Sequence, residues 1–139
     1  MTDVEIQKVF ARWAARERAA RGRIIFSVPT FSAKSVPGYS SRPVSASLIR
    51  TWRRQRRIFA VRYRGRDYFP AFQFLKGEPK SLIAELLCLL RPADNWQSMF
   101  WFCSANAWVV DHQQPFAVLD SNPEAVIEAA RHANDQISD

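Results

Sequence analysis

Glycine, histidine and cysteine are scarce in this sequence, with four, two and two copies, and each shortage removes a class of function. Four glycines form no glycine-rich loop that could cradle a phosphate, and no Gly-x-Ser-x-Gly or His-Glu-x-x-His string occurs. Cys88 and Cys103 each sit inside an apolar run with no Cys or His at ligand spacing. They read as small buried hydrophobes rather than as a disulfide, a metal site or a nucleophile. His112 and His132 are isolated and read as surface residues. No apolar stretch reaches the ~18 residues of a membrane span, and charges interrupt residues 1–21 where a signal peptide needs its apolar centre. A cytoplasmic protein is the simplest expectation. Asp94, Asp120 and Glu124 fit helix N-termini better than an acid/base pair. With no catalytic, metal or cofactor motif, binding rather than turnover is expected, without a membrane or a small-molecule substrate.

What the chain does have is apolar surface and arginine. Of its 139 residues 47% are hydrophobic and 13% aromatic, enough for one real core, and most of that surface lies between Tyr68 and Ala130. Charge is divided: residues 1–66 hold 16 Lys and Arg against 3 acids, residues 67–139 hold 4 against 10, and the overall +7 splits into +13 and −6. The division points to a polyanion as partner of the first half and a basic protein as partner of the second.

Taken in order, Thr2–Arg21 reads as an amphipathic helix. Thr2 and Glu5 fit a capping box, and Ile6, Val9, Phe10 and Trp13 form one apolar face with Arg12 and Arg16 outside it. Residues 22–43, with Pro29, Pro37, Gly38 and Pro43, read as a linker or irregular arm in which Ile24-Ile25-Phe26 adds a strand or packs across the domain. Ser45 or Ser47 caps a second helix, to Arg57, with Leu48, Ile49 and Trp52 on its apolar side. Ile58–Tyr63 and Asp67–Pro70 around Arg64-Gly65-Arg66 read as a hairpin, so this region resembles a helix followed by a wing. The remainder is expected to be helical. Pro79-Lys80-Ser81 opens a central helix through Leu90 that Arg91-Pro92 ends. Asp94, with Gln97, caps a helix that Ser104-Ala105-Asn106 ends, Asn supplying a left-handed cap. Pro115–Leu119 forms a single turn. Ser121, Pro123 and Glu124 open a last helix with Val126, Ile127, Ala130 and Ile137 inward.

Two clusters carry functional expectations. Five arginines in the eight residues from Arg50 to Arg57, followed by Arg62, Arg64 and Arg66, exceed what solubility requires. Arg50, Arg53, Arg54, Arg57, Arg64 and Arg66 are the candidate phosphate contacts of a nucleic-acid surface. Such contacts position a protein on a backbone rather than read sequence, and the proline-containing stretch before Ser45 leaves no room for the first helix of a helix-turn-helix. The aromatic cluster at Trp96, Phe100, Trp101, Phe102 and Trp108 covers more than one helix face. Trp96 and Phe100 are assigned to the core, while Trp101 and Trp108 are open to either core or partner.

The string Phe69-Pro70-Ala71-Phe72-Gln73-Phe74, a Leu-rich helix, Trp96, Trp101-Phe102, Ser104-Ala105-Asn106, Pro115 with Val118-Leu119, and Pro123-Glu124 with Val126 and Ala129-Ala130 follow one another in fixed order. Over about the last 80 residues this succession resembles the Xre/MbcA/ParS toxin-binding domain. The resemblance implies a type II antitoxin whose partner is a RES-domain toxin, an enzyme that consumes NAD or uses it to modify a target. It further implies that the C-terminal segment obstructs the toxin's NAD site and that the antitoxin forms a homodimer. By position, Arg131, Asn134, Asp135 and Ile137, with Trp101 and Trp108, are the toxin-contacting candidates. Two departures stand out. Residues 1–43 are too short and too interrupted for the Xre-type helix-turn-helix many members carry, and Asp111-His112-Gln113-Gln114 replaces the usual glycine before Pro115.

The expected fold is mainly α with a small β-hairpin: a compact helical toxin-binding domain (44–139) preceded by an N-terminal helix and a proline-containing linker (1–43). Within the domain, the basic helix and hairpin occupy 44–70 and the helical core and blocking helix 71–139. The expected function is steric inhibition of a RES-domain toxin, with a nucleic-acid-binding regulator as the alternative.

Overall fold

The computed structural model describes residues 2–32 and 45–134, with backbone alone at Phe26, Phe31 and Ser32. Helices α1 (Asp3–Ser27), α2 (Ala46–Arg54), α3 (Ser81–Leu90), α4 (Asn95–Cys103) and α5 (Pro123–His132) dominate. Strands β1 (Thr30–Ser32), β2 (Val61–Tyr63) and β3 (Arg66–Pro70) form one antiparallel sheet in the order β1-β3-β2, and β4 (Phe74–Leu75) pairs with β5 (Glu78–Pro79) in a second. The architecture is mainly helical with small β elements, as the sequence patterning implies.

Helix α1 opens on the capping box expected: the Glu5 amide donates to the Thr2 hydroxyl at 3.3 Å and the Glu5 carboxylate accepts from the Thr2 amide at 3.0 Å. It ends later than the sequence pattern indicates. Residues 22–27 continue the helix, because Ile25 and Val28 find burial in the main core, and tertiary packing there overrides the glycine at 22. Ile24-Ile25-Phe26 is thus helical, not a strand. The strand from this region is Thr30–Ser32, which pairs with Tyr68–Pro70 and ties the expected linker into the sheet. Pro37, Gly38 and Pro43 lie outside the described residues.

Both hairpins turn through a residue pair of positive φ, Arg64-Gly65 (50° and 77°) and Lys76-Gly77 (53° and 77°). Such two-residue turns follow the right-handed twist of their strands, and glycine supplies one left-handed position without steric cost. The β4–β5 hairpin was absent from the sequence expectation. Its signal was the Lys76-Gly77 pair, obscured by strands only two residues long.

The sheet lies between two apolar clusters. Ile49 and Trp52 of α2 meet Ile58, Ala60, Phe69 and Phe74 in the smaller one, while Phe59 and Val61 join the larger one with α3, α4, α5 and the end of α1. Residues 58–61 therefore alternate between two cores, as extended chain must. Phe59 and Phe102 stack at 5.8 Å, Phe102 meets Phe72 at 5.0 Å and Phe72 meets Phe116 at 5.6 Å, an aromatic column through the main core.

Gln73 holds these layers together. Fully buried, its side-chain oxygen accepts from the Phe59 amide at 2.7 Å and its nitrogen donates to the carbonyls of Phe59 (2.9 Å) and Pro70 (3.2 Å). Its own carbonyl accepts from the Lys80 amide at 2.8 Å, immediately before α3.

Helix ends in the second half follow expectation with local changes. Asp94 accepts from the Gln97 amide at 2.8 Å, while the Gln97 side chain reaches one residue further back, to the Ala93 amide. Helix α4 does not end in a left-handed Asn: Ser104 is extended, its hydroxyl donating to the Phe100 carbonyl, and Asn106 instead accepts from the Trp108 amide. The cap of α5 is Asn122, not Ser121, because Pro123 occupies the first helical position and Asn122 reaches the Ala125 amide. Ile137 lies outside the described residues. Asp111 and His112, standing where glycine was expected, both adopt positive φ (58° and 53°), a conformation costing roughly 1 kcal/mol per non-glycine residue.

Gln73→Ala leaves two buried backbone groups of Phe59 unpaired. It should lower stability by about 3 kcal/mol, read as a fall in melting temperature of roughly 10 °C by circular dichroism; an unchanged melt would remove Gln73 from this role.

Candidate functional site

Four of the six expected toxin contacts gather around the C-terminal end of α5. Trp101 lines two clefts there. One, of about 150 Å³, is bounded by Leu90, Gln97, Ser98 and Asn134; the other, of about 330 Å³, by Asn106, Trp108, His132 and Ala133. Trp108 is half exposed at 48% and stacks flat on His132, with ring centres 3.9 Å apart and planes within 5°. Arg131 stands on the same last turn, exposed and paired with Glu128 at 3.2 Å. Asp135 and Ile137 lie outside the described residues.

The local sequence explains this gathering. Helix α5 buries Val126, Ala129 and Ala130, small residues that let it lie close on α3, and its opposite flank carries Glu128, Arg131 and His132. Asn134 then donates to the carbonyls of Leu89 (3.3 Å) and Leu90 (3.4 Å), which are the last carbonyls of α3 without helical partners. Asn134 thus ties the end of α5 to α3 while remaining exposed. Lys80 and Asp120, 3.1 Å apart, join the other ends of the two elements.

His132 is not isolated, as its sequence context implied. Its Nε2–H donates to the Glu128 carboxylate at 2.9 Å while the ring covers Trp108. Hydrogen bonds from His132 and then Arg131 hold the Glu128 carboxyl below its ordinary value of 4.5. The Ser98 hydroxyl, which the sequence reading missed, is buried on the wall of the smaller cleft with no hydrogen-bond partner among the described residues. A buried hydroxyl left unpaired costs free energy that an incoming polar group recovers.

The tryptophans separate as core and surface. Trp96 is buried, its indole N–H donating to the Arg62 carbonyl at 2.9 Å, and Phe100 packs beside it at 5.7 Å, half buried. Trp101 is half buried, with its ring edge against Phe102.

Of the arginines singled out, Arg50, Arg53, Arg54, Arg64 and Arg66 are exposed and Arg57 is half buried. Arg53 is partly committed to structure: it pairs with Asp67 at 3.3 Å and covers the Phe69 ring. Asp67 also holds Arg62 at 3.2 Å, bridging α2 to the hairpin. Arg50, Arg54, Arg57, Arg64 and Arg66 have no carboxylate partner among the described residues. Sequence spacing gave no hint that Arg18, Arg21 and Arg23 of α1 approach the same hairpin, where they line a cleft with Arg62 and Arg64. Only the continuation of α1 through Ser27 brings them there.

Among the described residues there is no group of three or more His, Cys, Asp and Glu side chains that could hold a metal, and no helix is long and apolar enough to cross a membrane. No family model matches the chain, and neither does any curated protein or solved structure.

The cysteines depart from expectation. Cys88 is exposed because it falls on the outer face of α3, and only Cys103 is partly sheltered. Burial pushes the Cys103 thiol up to about 12, whereas reaction requires the thiolate. A disulfide-exchange reagent at neutral pH should therefore titrate one fast thiol, lost in Cys88→Ser, and a second only on unfolding; two fast thiols would contradict this arrangement of the loop after α4.

Proposed function

We propose that the chain is a cytoplasmic antitoxin that binds a RES-domain toxin and covers its NAD site. The motif resemblance supports this reading, and the observation that carries it is the convergence of Trp101, Trp108, Arg131 and Asn134 on one end of α5. An exposed, stacked tryptophan beside two small clefts and an unpaired buried hydroxyl has the character of an interface anchor. The mechanism is steric. The surface at the end of α5 docks on the toxin and directs the chain beyond Asn134 to the entrance of the NAD cleft, so no reacting group is needed.

Homodimerisation belongs to the same proposal. Val4, Ile6, Val9, Phe10 and Trp13 are 37–66% exposed on α1, a contiguous apolar stripe of the kind monomers seldom leave open. Two α1 helices crossing antiparallel near Val9 and Phe10 would set Ile6 of one copy against Trp13 of the other. Glu5 then falls between Arg12 and Arg16, so charge as well as apolar surface is self-complementary. Sedimentation should show a dimer that Phe10→Asp with Trp13→Asp converts to a folded monomer; a wild-type monomer would end this part of the proposal.

A second reading, contact with nucleic acid, is favoured by one observation: Arg50, Arg54, Arg64 and Arg66 are exposed without carboxylate partners among the described residues.

Co-expression with the protein encoded beside it tests the antitoxin reading. The chain should restore growth and cellular NAD and co-purify with its neighbour. Trp108→Ala should keep the fold within about 1 kcal/mol yet weaken the complex by 30-fold or so, the loss of a ~2 kcal/mol anchor. A neighbour that stays toxic with no complex formed would overturn the reading.

A further inference from the structure

A cleft of about 1050 Å³ lies between the second half of α1 and the β2–β3 hairpin. Arg18, Arg21 and Arg23 line one side and Arg62, Tyr63 and Arg64 the other, and no carboxylate among the described residues lines it. Two of the five arginines are compensated from outside: Arg21 by Glu17 at 3.0 Å and Arg62 by Asp67 at 3.2 Å. Arg18, Arg23 and Arg64 have no carboxylate partner among the described residues. Like charges held around one hollow repel, a cost that an anion in the hollow reverses.

The walls are fixed by packing rather than by the arginines themselves. Gly22 lets the helix close on the hairpin, since a Cβ there would stand 2.8 Å from the Tyr63 hydroxyl oxygen. The Arg21 guanidinium lies 4.9 Å over the Trp96 ring, and the indole N–H of Trp96 donates to the Arg62 carbonyl at 2.9 Å. Trp96 thus joins α1 through its ring face and β2 through its indole N–H, tying α1, α4 and β2 together. The Arg64 guanidinium rests 5.4 Å from the centre of the Tyr63 ring. Guanidinium groups presented in this way suit the paired oxygens of phosphate.

The cations do not stop at the cleft. Arg66 follows on β3, and Asp67 links Arg62 to Arg53 at the end of α2, beyond which Arg50 and Arg54 are exposed. A compact anion would be satisfied by the cleft alone, whereas a track of this kind matches a linear polyanion.

We propose that this cleft is a phosphodiester-binding groove, in which Arg18, Arg23 and Arg64 contact successive phosphates of a nucleic acid whose backbone continues over the hairpin towards α2. The proposal rests on the nucleic-acid reading and extends it by adding α1, with no dependence on the antitoxin reading. The contacts are to the backbone, so affinity is independent of base sequence and falls with salt by counterion release; three phosphates give a log–log slope of about −2.7 from the cleft alone.

The test is fluorescence anisotropy of a labelled random-sequence duplex titrated with the full chain across a range of salt. Arg18→Ala with Arg23→Ala should cut low-salt affinity by roughly ten- to a hundredfold and reduce the slope magnitude by about 2, with the melting temperature retained. Lys8→Gln with Arg91→Gln removes equal charge outside the cleft, from residues that line neither it nor the proposed dimer contact, and should have little effect. Equal losses in the two pairs, or no loss in the first, would overturn the cleft while leaving nucleic-acid contact standing. Absence of duplex binding at low salt would overturn both. If inorganic tripolyphosphate displaces the duplex at concentrations comparable to the duplex phosphates, a free polyphosphate is the occupant and the nucleic-acid assignment fails.

Discussion

The Gln73 side chain is the constraint on which the rest of this structure depends. One buried amide closes the backbone of Phe59 and Pro70, and the same residue's carbonyl receives the amide ahead of α3. Phe59 is the point at which the chain passes between two cores, with Ile58 and Ala60 facing α2 and Phe59 and Val61 facing the helices. At such a crossing the backbone cannot complete a ladder on both sides, yet its polar groups are cut off from water. A side chain carrying one acceptor and one donor group meets both needs. Glutamate would lack the donor and leucine would lack both.

Around this junction the fold presents two chemically different ends. At the hairpin end, arginines from α1, α2 and the β2–β3 turn are brought together by Trp96, Gly22 and Asp67. At the α5 end, Trp101 and Trp108 stand over clefts closed by Asn134 and His132. The arginines of the first end all belong to the +13 half of the chain, and the residues named at the α5 end all belong to the −6 half. In the functional account proposed, one end holds a protein and the other a polyanion. Helix α4 is common to both, since Trp96 on its first turn supports the cationic cleft and Trp101 on its last lines the aromatic one.

Periodicity and turn chemistry made most elements legible. The Thr2–Glu5 box, the Ser45 cap, the Arg64-Gly65 turn and the stop at Arg91-Pro92 are local rules that the chain obeys locally. What escaped were features decided at long range. Residues 22–27 look like a linker because Gly22 and Pro29 flank them, but as helix they carry Ile25 into the core and set Val28, the extended residue just beyond, there too. The cationic cleft was invisible for the same reason, since Arg18 and Arg62 are separated in sequence and meet through that extension. Asn134, expected as a displayed contact, is exposed and in addition clasps α5 to α3, a role set by where α3 ends. Cys88 lay in an apolar run, yet helical geometry turns one position of that run outward.

The central functional claim is that the end of α5, rather than the arginine surface or α1, meets the toxin. Hydrogen exchange of the chain alone and in complex with the protein encoded beside it would test this most directly. The account predicts slowed exchange over residues 104–114 and 128–139, with residues 18–23 and 50–66 unchanged. Protection confined to the hairpin and α2, with the end of α5 exchanging as in the free chain, would contradict it.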